Sequence, residues 1–300
     1  MTECNKPKID SIMMTNDQKE RIAQDLKAYV QRYPSQNKAA NSLKGVSAGT
    51  ISSILNRNWG LISEEMWLKV QRQVASGAGW RLCETAAWRS LMLYFEDAQE
   101  DSNVMWVTGP AGIGKSTAAR EYAKAHRDVF ALTCSEDMTR ADFVRELARV
   151  VGVNAQGLKV RETLQEVIRE LGSKDNPLLI FDEGDKLTDS VLYYYVSLYN
   201  ALEDLCGMVF LSTDYIHKRV GRGVQACRKG YDELDSRICR RFIPLQLVNS
   251  NEVAAICRAN GLQDEGAIRN VLQEAAECRN DLRRVKKSVH KELKKLSLRG

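Results

Sequence analysis

The amino-acid sequence predicts an α/β protein: a P-loop domain with a doubly wound parallel sheet, followed by a helical lid and preceded by a small all-α helix-turn-helix domain. Three observations support this expectation. A phosphate-loop motif lies between an apolar strand and a helix, apolar strands alternate with helices along the middle of the chain, and both ends show only the helical period of apolar residues. The expected domains are residues 1–76, 77–247 and 248–300.

The composition and charge exclude several classes of protein. The chain has 300 residues, of which 44% are apolar and 28% charged. No apolar run approaches the ~18–20 residues that span a bilayer, and the N-terminus lacks the apolar core of a signal peptide, so we expect a cytoplasmic protein without a membrane partner. The eight cysteines form no C-x-x-C pair, which indicates reduced thiols.

The net charge of +5 is unevenly distributed. Residues 1–80 hold 11 Lys+Arg against 7 Asp+Glu, and residues 281–300 hold 8 against 2, whereas the middle of the chain is acidic. A polyanionic partner that touches both ends and ordinary solvated surface are both compatible with this pattern.

In the first domain, apolar residues recur at three- and four-residue steps over residues 17–33 and predict a helix that Pro34 ends. Residues 35–56 predict two short helices joined at Gly45, where the turn needs a positive φ. Candidate DNA contacts are the expected N-cap and the outward-facing polar residues of the second helix: Ser47, Ser52, Ser53, Asn56 and Arg57. Only the last two could make bidentate base contacts, which predicts little sequence specificity. A plain three-helix packing unit is the alternative, and residues 76–79 are the expected linker.

The most specific motif matches G-x-x-x-x-G-K-[ST] at every required position. Residues 103–108 before it predict a buried strand and residues 118–125 after it a helix, so backbone N–H groups would converge on phosphate. Lys115 would neutralise charge on the β- and γ-phosphates, and Ser116 would bind Mg²⁺. The candidate nucleotide-binding residues are Gly109, Pro110, Ala111, Gly112, Ile113, Gly114, Lys115, Ser116 and Thr117.

A second acidic motif indicates hydrolysis as well as binding. The apolar residues 178–181 predict a central parallel strand that ends in Asp182 and Glu183. Asp182 would bind the metal ion, and Glu183 would polarise the attacking water. Asp185 is expected to fix the following loop.

Strands and helices alternate around these motifs in the manner of a doubly wound sheet. Strands are expected at residues 129–133 and 207–211, and helices near 142–151, 158–171 and 190–205. The last strand leads to Thr213, a candidate sensor of bound triphosphate. A simple strand-ending turn is the alternative.

Basic residues follow in two groups. Arg237, Arg240 and Arg241 precede the final strand, and an arginine there could reach the phosphoryl group of a neighbouring subunit, with Arg237 favoured. Helices over residues 252–259, 265–278 and 281–298 would form the lid and place Arg283 in the first turn of the third helix, within reach of the nucleotide. For the other basic residues of that helix, a DNA contact and a solvated surface both stay open.

Together, the P-loop, the Asp182-Glu183 pair, Thr213, the arginines before the last strand and Arg283 resemble an AAA+ ATPase. The sequence over residues 45–56, followed by this ATPase, resembles the target-capture ATPases of DNA transposition, typified by the B transposition protein of phage Mu. The resemblance implies ATP and Mg²⁺ as cofactors and an oligomer, filament or ring, on double-stranded DNA, which it captures with little sequence preference for a partner transposase. It also implies DNA contacts near Lys218, Arg219 and Arg222.

Two other functions are compatible with the same motifs. A helicase loader or replication initiator would associate with a replicative helicase. A signalling NTPase that acts as a transcriptional switch would use the helix-turn-helix to recognise an operator, and predicts a sensor domain after the lid.

Overall fold

The computed structural model describes residues 14–31, 33, 35–74, 80–237 and 241–297. The chain divides into two compact units between Leu82 and Cys83, somewhat beyond the expected boundary at residue 76. The expected linker at residues 76–79 and the candidate Arg240 lie outside the described residues. Among the helices described, none has both the length and the apolar character needed to cross a membrane.

The first unit contains only helices. They are α1 (Asn16–Val30), α2 (Gln36–Ser42), α3 (Ala48–Leu55) and α4 (Glu64–Val74), with a 3₁₀ turn at Trp59–Leu61. Thr15 and Gln18 form a capping box at the start of α1, and Ser47 caps α3 through the N–H of Thr50. The core consists of apolar side chains from all four helices: Ile22, Leu26, Ala40, Ile51, Ile54, Trp67 and Val70. This packing gives α2 and α3 a fixed relative orientation.

The second unit is built on a parallel sheet. Its strands are β1 (Val104–Thr108), β2 (Val129–Thr133), β3 (Leu178–Asp182), β4 (Gly207–Ser212) and β5 (Phe242–Pro244), in the order β2-β3-β4-β1-β5. Every residue of β3 and β4 is buried, as expected for central strands covered on both faces. All carboxyl ends therefore meet at one edge of the sheet.

An aromatic row crosses the three central strands. Trp106 pairs in register with Phe210, and Phe210 pairs with Phe181. The rings stack at centroid distances of 4.5 and 4.6 Å. The indole N–H of Trp106 donates to Ser212 Oγ at 2.7 Å. These contacts fix the register of β1, β4 and β3.

Helices surround the sheet and form the lid. The helices before the lid are α5 (Ala86–Glu100), α6 (Lys115–Ala125), α7 (Arg140–Val151), α8 (Val160–Gly172), α9 (Asp189–Leu202), α10 (Tyr215–Gln225) and α11 (Tyr231–Arg237). The lid helices are α12 (Ser250–Ala259), α13 (Glu265–Glu277) and α14 (Leu282–Ser297). Helices α5, α10 and α11 lie in segments that were not predicted to be helical.

One lid residue connects the lid to the rest of the second unit. Glu252 Oε1 accepts a hydrogen bond of 2.5 Å from the N–H of Ala86, at the start of α5. Its other carboxylate oxygen accepts a hydrogen bond of 2.9 Å from the N–H of Asn249, the N-cap of α12. A single carboxylate thus satisfies N–H groups at the starts of two helices.

We expect Gly207→Ala to lower the free energy of unfolding by about 1–3 kcal/mol, because an added methyl group would overpack the sheet. A Cβ at this position would lie 1.9 Å from Ala98 O, which is backbone and cannot rotate away. Gly172→Ala is the matched control, since no atom lies within 4 Å of a Cβ there. Urea unfolding of both variants measures the difference, and equal effects would contradict this packing.

Candidate functional site

The phosphate loop runs from the end of β1 to the start of α6. Gly112 and Gly114 adopt φ angles of +78° and +106°, which side chains disfavour, and Gly114 is the N-cap of α6. The N–H of Gly109 donates to Ser212 O at 3.1 Å, so the first residue of the loop is hydrogen-bonded to the end of the neighbouring strand β4. Within the loop, Ile113 is buried and Ala111 exposed.

Lys115 lies folded against this loop. Its ammonium group donates to Gly109 O at 2.5 Å and to Pro110 O at 3.0 Å, and the residue is 9% exposed. Burial lowers the pKa of Lys115, while the nearby carboxylates Asp182 and Asp185 oppose that shift. The ammonium is therefore held at the loop by carbonyl oxygens and by negative charge.

Asp182 carries a buried oxygen that lacks a partner. The residue is 6% exposed, and its Oδ1 forms no hydrogen bond. Burial raises the pKa of Asp182, and the Ser116 hydroxyl and Lys115 act in the opposite direction. Carboxylate and hydroxyl oxygens suit Mg²⁺, so this pair fits a magnesium ion bound together with phosphate oxygens.

Glu183 occupies a constrained position directly after β3. Its φ of +60° is unusual for a residue with a side chain. Its carboxylate forms an ion pair of 2.6 Å with Lys186 in the following 3₁₀ turn. The strand end thus directs Asp182 inward and leaves Glu183 partly exposed beside it.

Thr213 is fastened to the loop that follows β3. Its hydroxyl donates to Asp185 Oδ2, and its N–H lies 3.3 Å from the same oxygen. The two strand ends that carry Asp182 and Thr213 are therefore tied together through Asp185.

The lid reaches the phosphate loop at the start of α14. The N–H of Leu282 donates to Gly112 O at 3.0 Å, and a Cβ on Gly112 would lie 2.2 Å from Asp281 Cγ. Arg283 is close enough to Lys115 for its charge to lower the pKa of that lysine further. The start of α14, which carries the predicted lid arginine, therefore lies against the phosphate loop.

The arginines before β5 lie in different surroundings. Arg237 donates twice to Asn200 Oδ1, at 3.1 and 2.9 Å, and once to Glu233 O at 3.1 Å. Arg241 is exposed and lines a cleft of about 610 Å³ with Asp214 and other residues. Arg237 is therefore held within its own subunit, whereas Arg241 faces solvent.

The basic residues of α10 also separate into two kinds. Lys218 and Arg222 are exposed. Arg219 instead donates to Leu187 O at 2.6 Å and pairs with Asp189 at 2.5 Å, leaving 16% of its side chain exposed. This corrects the expectation that Arg219 faces DNA, because its guanidinium group binds residues of the loop after β3 and stabilises that loop.

The candidates of the first unit lie on α3 and next to its two ends. Ser47, Ser52 and Ser53 are exposed or partly exposed. Asn56 donates to Ser52 Oγ at 3.2 Å, and Arg57 forms an ion pair of 2.6 Å with Glu20. Asn56 and Arg57, the two side chains that could make bidentate base contacts, thus both bond to other residues of the first unit.

Sequence reasoning did not assign Asp214 or Asp281 to the site. Asp214 raises the pKa of Lys115, and Asp281 caps α14 through the N–H of Arg283 at 2.7 Å. No local motif marks either residue, since each reaches the loop only through the tertiary fold.

Known proteins are similar to this chain over most of its length. A family model described as an AAA domain matches residues 98–220. The chain is 27% identical over 259 residues to the Mu-like prophage FluMu DNA transposition protein B of Haemophilus influenzae, a match that covers 80% of this chain and 85% of that protein. It is 26% identical over 247 residues to the ATP-dependent target DNA activator B of Escherichia phage Mu, covering 80% and 77%.

Solved structures give weaker matches. A DNA replication initiation factor matches with a TM-score of 0.47 at 17% identity and covers 70% of this chain. NtrX from Brucella abortus in complex with ATP matches with a TM-score of 0.45 at 13% identity and covers 82% of this chain. The chain spans 62% and 59% of the length of these structures.

We expect Asp182→Asn to raise the free energy of unfolding of the nucleotide-free protein at pH 7 by about 0.5–2 kcal/mol. Burial holds the folded-state pKa of Asp182 above its unfolded value, so the ionised carboxylate costs stability above that value. The cost disappears in acid, where the carboxyl group is neutral in both states. Urea unfolding from pH 3 to pH 7 measures it, with the exposed Asp175→Asn as control. Equal or lower stability of Asp182→Asn across this range would contradict the assignment.

Proposed function

We propose that this chain, which contains a match to an AAA domain and is similar to the B transposition proteins of Mu-like phages, is an ATPase that assembles on duplex DNA with ATP and Mg²⁺ and delivers that DNA to a transposase. The observation that carries the proposal is the convergence of Lys115, Asp182 and the start of α14 at the phosphate loop, where the N–H of Leu282 donates to Gly112 O. The phage Mu relative is an ATP-dependent target DNA activator, which supports the DNA role.

Each site residue has a role that follows from its surroundings. Lys115 is positioned to neutralise phosphate charge, and Ser116 and Asp182 would hold Mg²⁺, which supplies further positive charge against the triphosphate. Glu183 would accept a proton from the attacking water, and its ion pair with Lys186 holds the carboxylate in place. Thr213 would respond to the triphosphate at the end of β4, which its hydrogen bond to Asp185 connects to the loop after β3.

We assign the contact with a neighbouring subunit's nucleotide to Arg241 rather than to Arg237. Arg241 is exposed, whereas Arg237 is bound to Asn200 and Glu233 of its own chain. A contact from one subunit to the nucleotide site of the next is head-to-tail, and repetition of such a contact generates a ring or a helical filament. ATP bound at each junction would therefore stabilise the assembly on DNA, and hydrolysis would weaken it.

We expect Lys115→Ala to abolish ATP-dependent binding of duplex DNA, because the nucleotide loses its central cation. Glu183→Gln should retain nucleotide and DNA binding and lower ATP turnover by about 10²–10⁴-fold. Phosphate release and fluorescence anisotropy with labelled duplex measure both steps, and the exposed Glu277→Gln on α13 is the control. DNA binding that is equally tight without nucleotide and indifferent to salt would contradict the proposal.

We also expect two inactive variants to restore each other's activity. Arg241→Ala lacks the arginine that reaches the neighbour, and Glu183→Gln lacks the residue that activates water, so a junction between one of each can be complete. An equimolar mixture should recover up to roughly a quarter of wild-type turnover if subunits associate at random. Arg237→Ala in place of Arg241→Ala is the comparison. Recovery with Arg237→Ala but not with Arg241→Ala would move the role to Arg237.

A further inference from the structure

The turn between α2 and α3 brings together two lysines that are distant in the sequence. Lys44 precedes the turn glycine Gly45, and Lys69 lies on α4. A Cβ on Gly45 would lie 2.5 Å from Lys69 Nζ and 3.0 Å from its Cε. The ammonium group of Lys69 therefore lies directly over the turn.

Hydrogen bonds from one side chain connect the backbone groups of the two lysines. The side chain of Gln73 on α4 accepts from the N–H of Lys44 at 2.7 Å and donates to Lys44 O at 3.1 Å. Gln73 also donates to Lys69 O at 3.3 Å. One amide group thus connects the backbone of the turn to the helix that carries Lys69.

Among the described residues of the first unit, no carboxylate neutralises the charges of these two lysines. Elsewhere in it, Arg57 pairs with Glu20 and Lys19 with Glu64. Lys44 and Lys69 are both exposed, and no carboxylate of the described residues lies within 4 Å of either ammonium group. Even Glu65, four residues before Lys69 and in the favourable order for a helical ion pair, does not engage it.

The side chains beside the lysines are small or already bonded. Ala48 and Gly49 open α3 and allow a partner to approach the backbone closely. The Ser47 hydroxyl accepts from the N–H of Thr50 at 3.0 Å. The turn therefore offers charge without the forked donors that discriminate base pairs.

We propose that Lys44 and Lys69 form a phosphate-binding surface for duplex DNA, and that this surface holds the DNA backbone without recognising sequence. The inference rests on the proposed function and specifies how the first unit takes part in it. The partner is identified by charge, because two exposed ammonium groups that form no ion pair, beside small side chains, suit the phosphates of a DNA backbone. Asn56 and Arg57, the expected base contacts, have no part in it.

The test is the salt dependence of duplex binding by the full chain with ATP and Mg²⁺. We expect Lys44→Gln/Lys69→Gln to weaken binding at least about 10-fold at low salt and to reduce the slope of log K against log salt by about 2, one unit for each lost phosphate contact. Lys44→Glu/Lys69→Glu should weaken binding further, through repulsion of the phosphates.

The control is Arg21→Gln/Lys27→Gln, which removes the same charge from exposed positions on α1. It should keep the wild-type slope, and nucleotide binding should be equal in all variants. A wild-type slope in Lys44→Gln/Lys69→Gln, or an equal loss in the control, would overturn the proposal while DNA binding itself stands. If the wild-type chain bound no duplex, the proposed function would fail and this surface with it.

Discussion

Stacking of three aromatic rings across the central strands is the constraint on which the rest of the second unit depends. Trp106, Phe210 and Phe181 lie in one row, and their packing fixes the register of β1, β4 and β3. The same register places the end of β1, Thr213 and Asp182 at a common edge. A slip of one residue would turn these strands over and separate the phosphate loop from its acidic partner.

The site depends on burial of opposite charges at that edge. Lys115 and Asp182 are both largely removed from water. Burial lowers the pKa of Lys115 and raises the pKa of Asp182, so it favours the neutral form of each residue. Each residue partly offsets the shift of the other. The chain thus keeps charged groups in a place where they cost stability, as is usual where function requires them. Asp185 and Asp214 add negative charge that favours the ammonium form of Lys115.

The local motifs were predictable from the sequence, whereas contacts between segments were not. Residues 109–117 and Asp182-Glu183 carry their chemistry in consecutive positions, so spacing alone identifies them. Arg219 is basic in a basic segment, and only the fold shows that Asp189 and two carbonyl oxygens use its guanidinium. Helix α5 was not predicted, although Thr85 is a typical N-cap residue at its start. The approach of Lys69 to Gly45 depends on how α4 packs against the turn. The spacing of apolar residues in the sequence does not reveal this packing.

Contact between the lid and Gly112 has a consequence for the phosphate loop as a sequence motif. The motif leaves position 112 open, since it requires glycine only at Gly109 and Gly114. Here the carboxylate of Asp281 occupies the space that a side chain on Gly112 would need. The lid therefore restricts this position in addition to its φ of +78°. We expect a larger residue in the loop to need both a positive φ and a smaller residue at the start of α14.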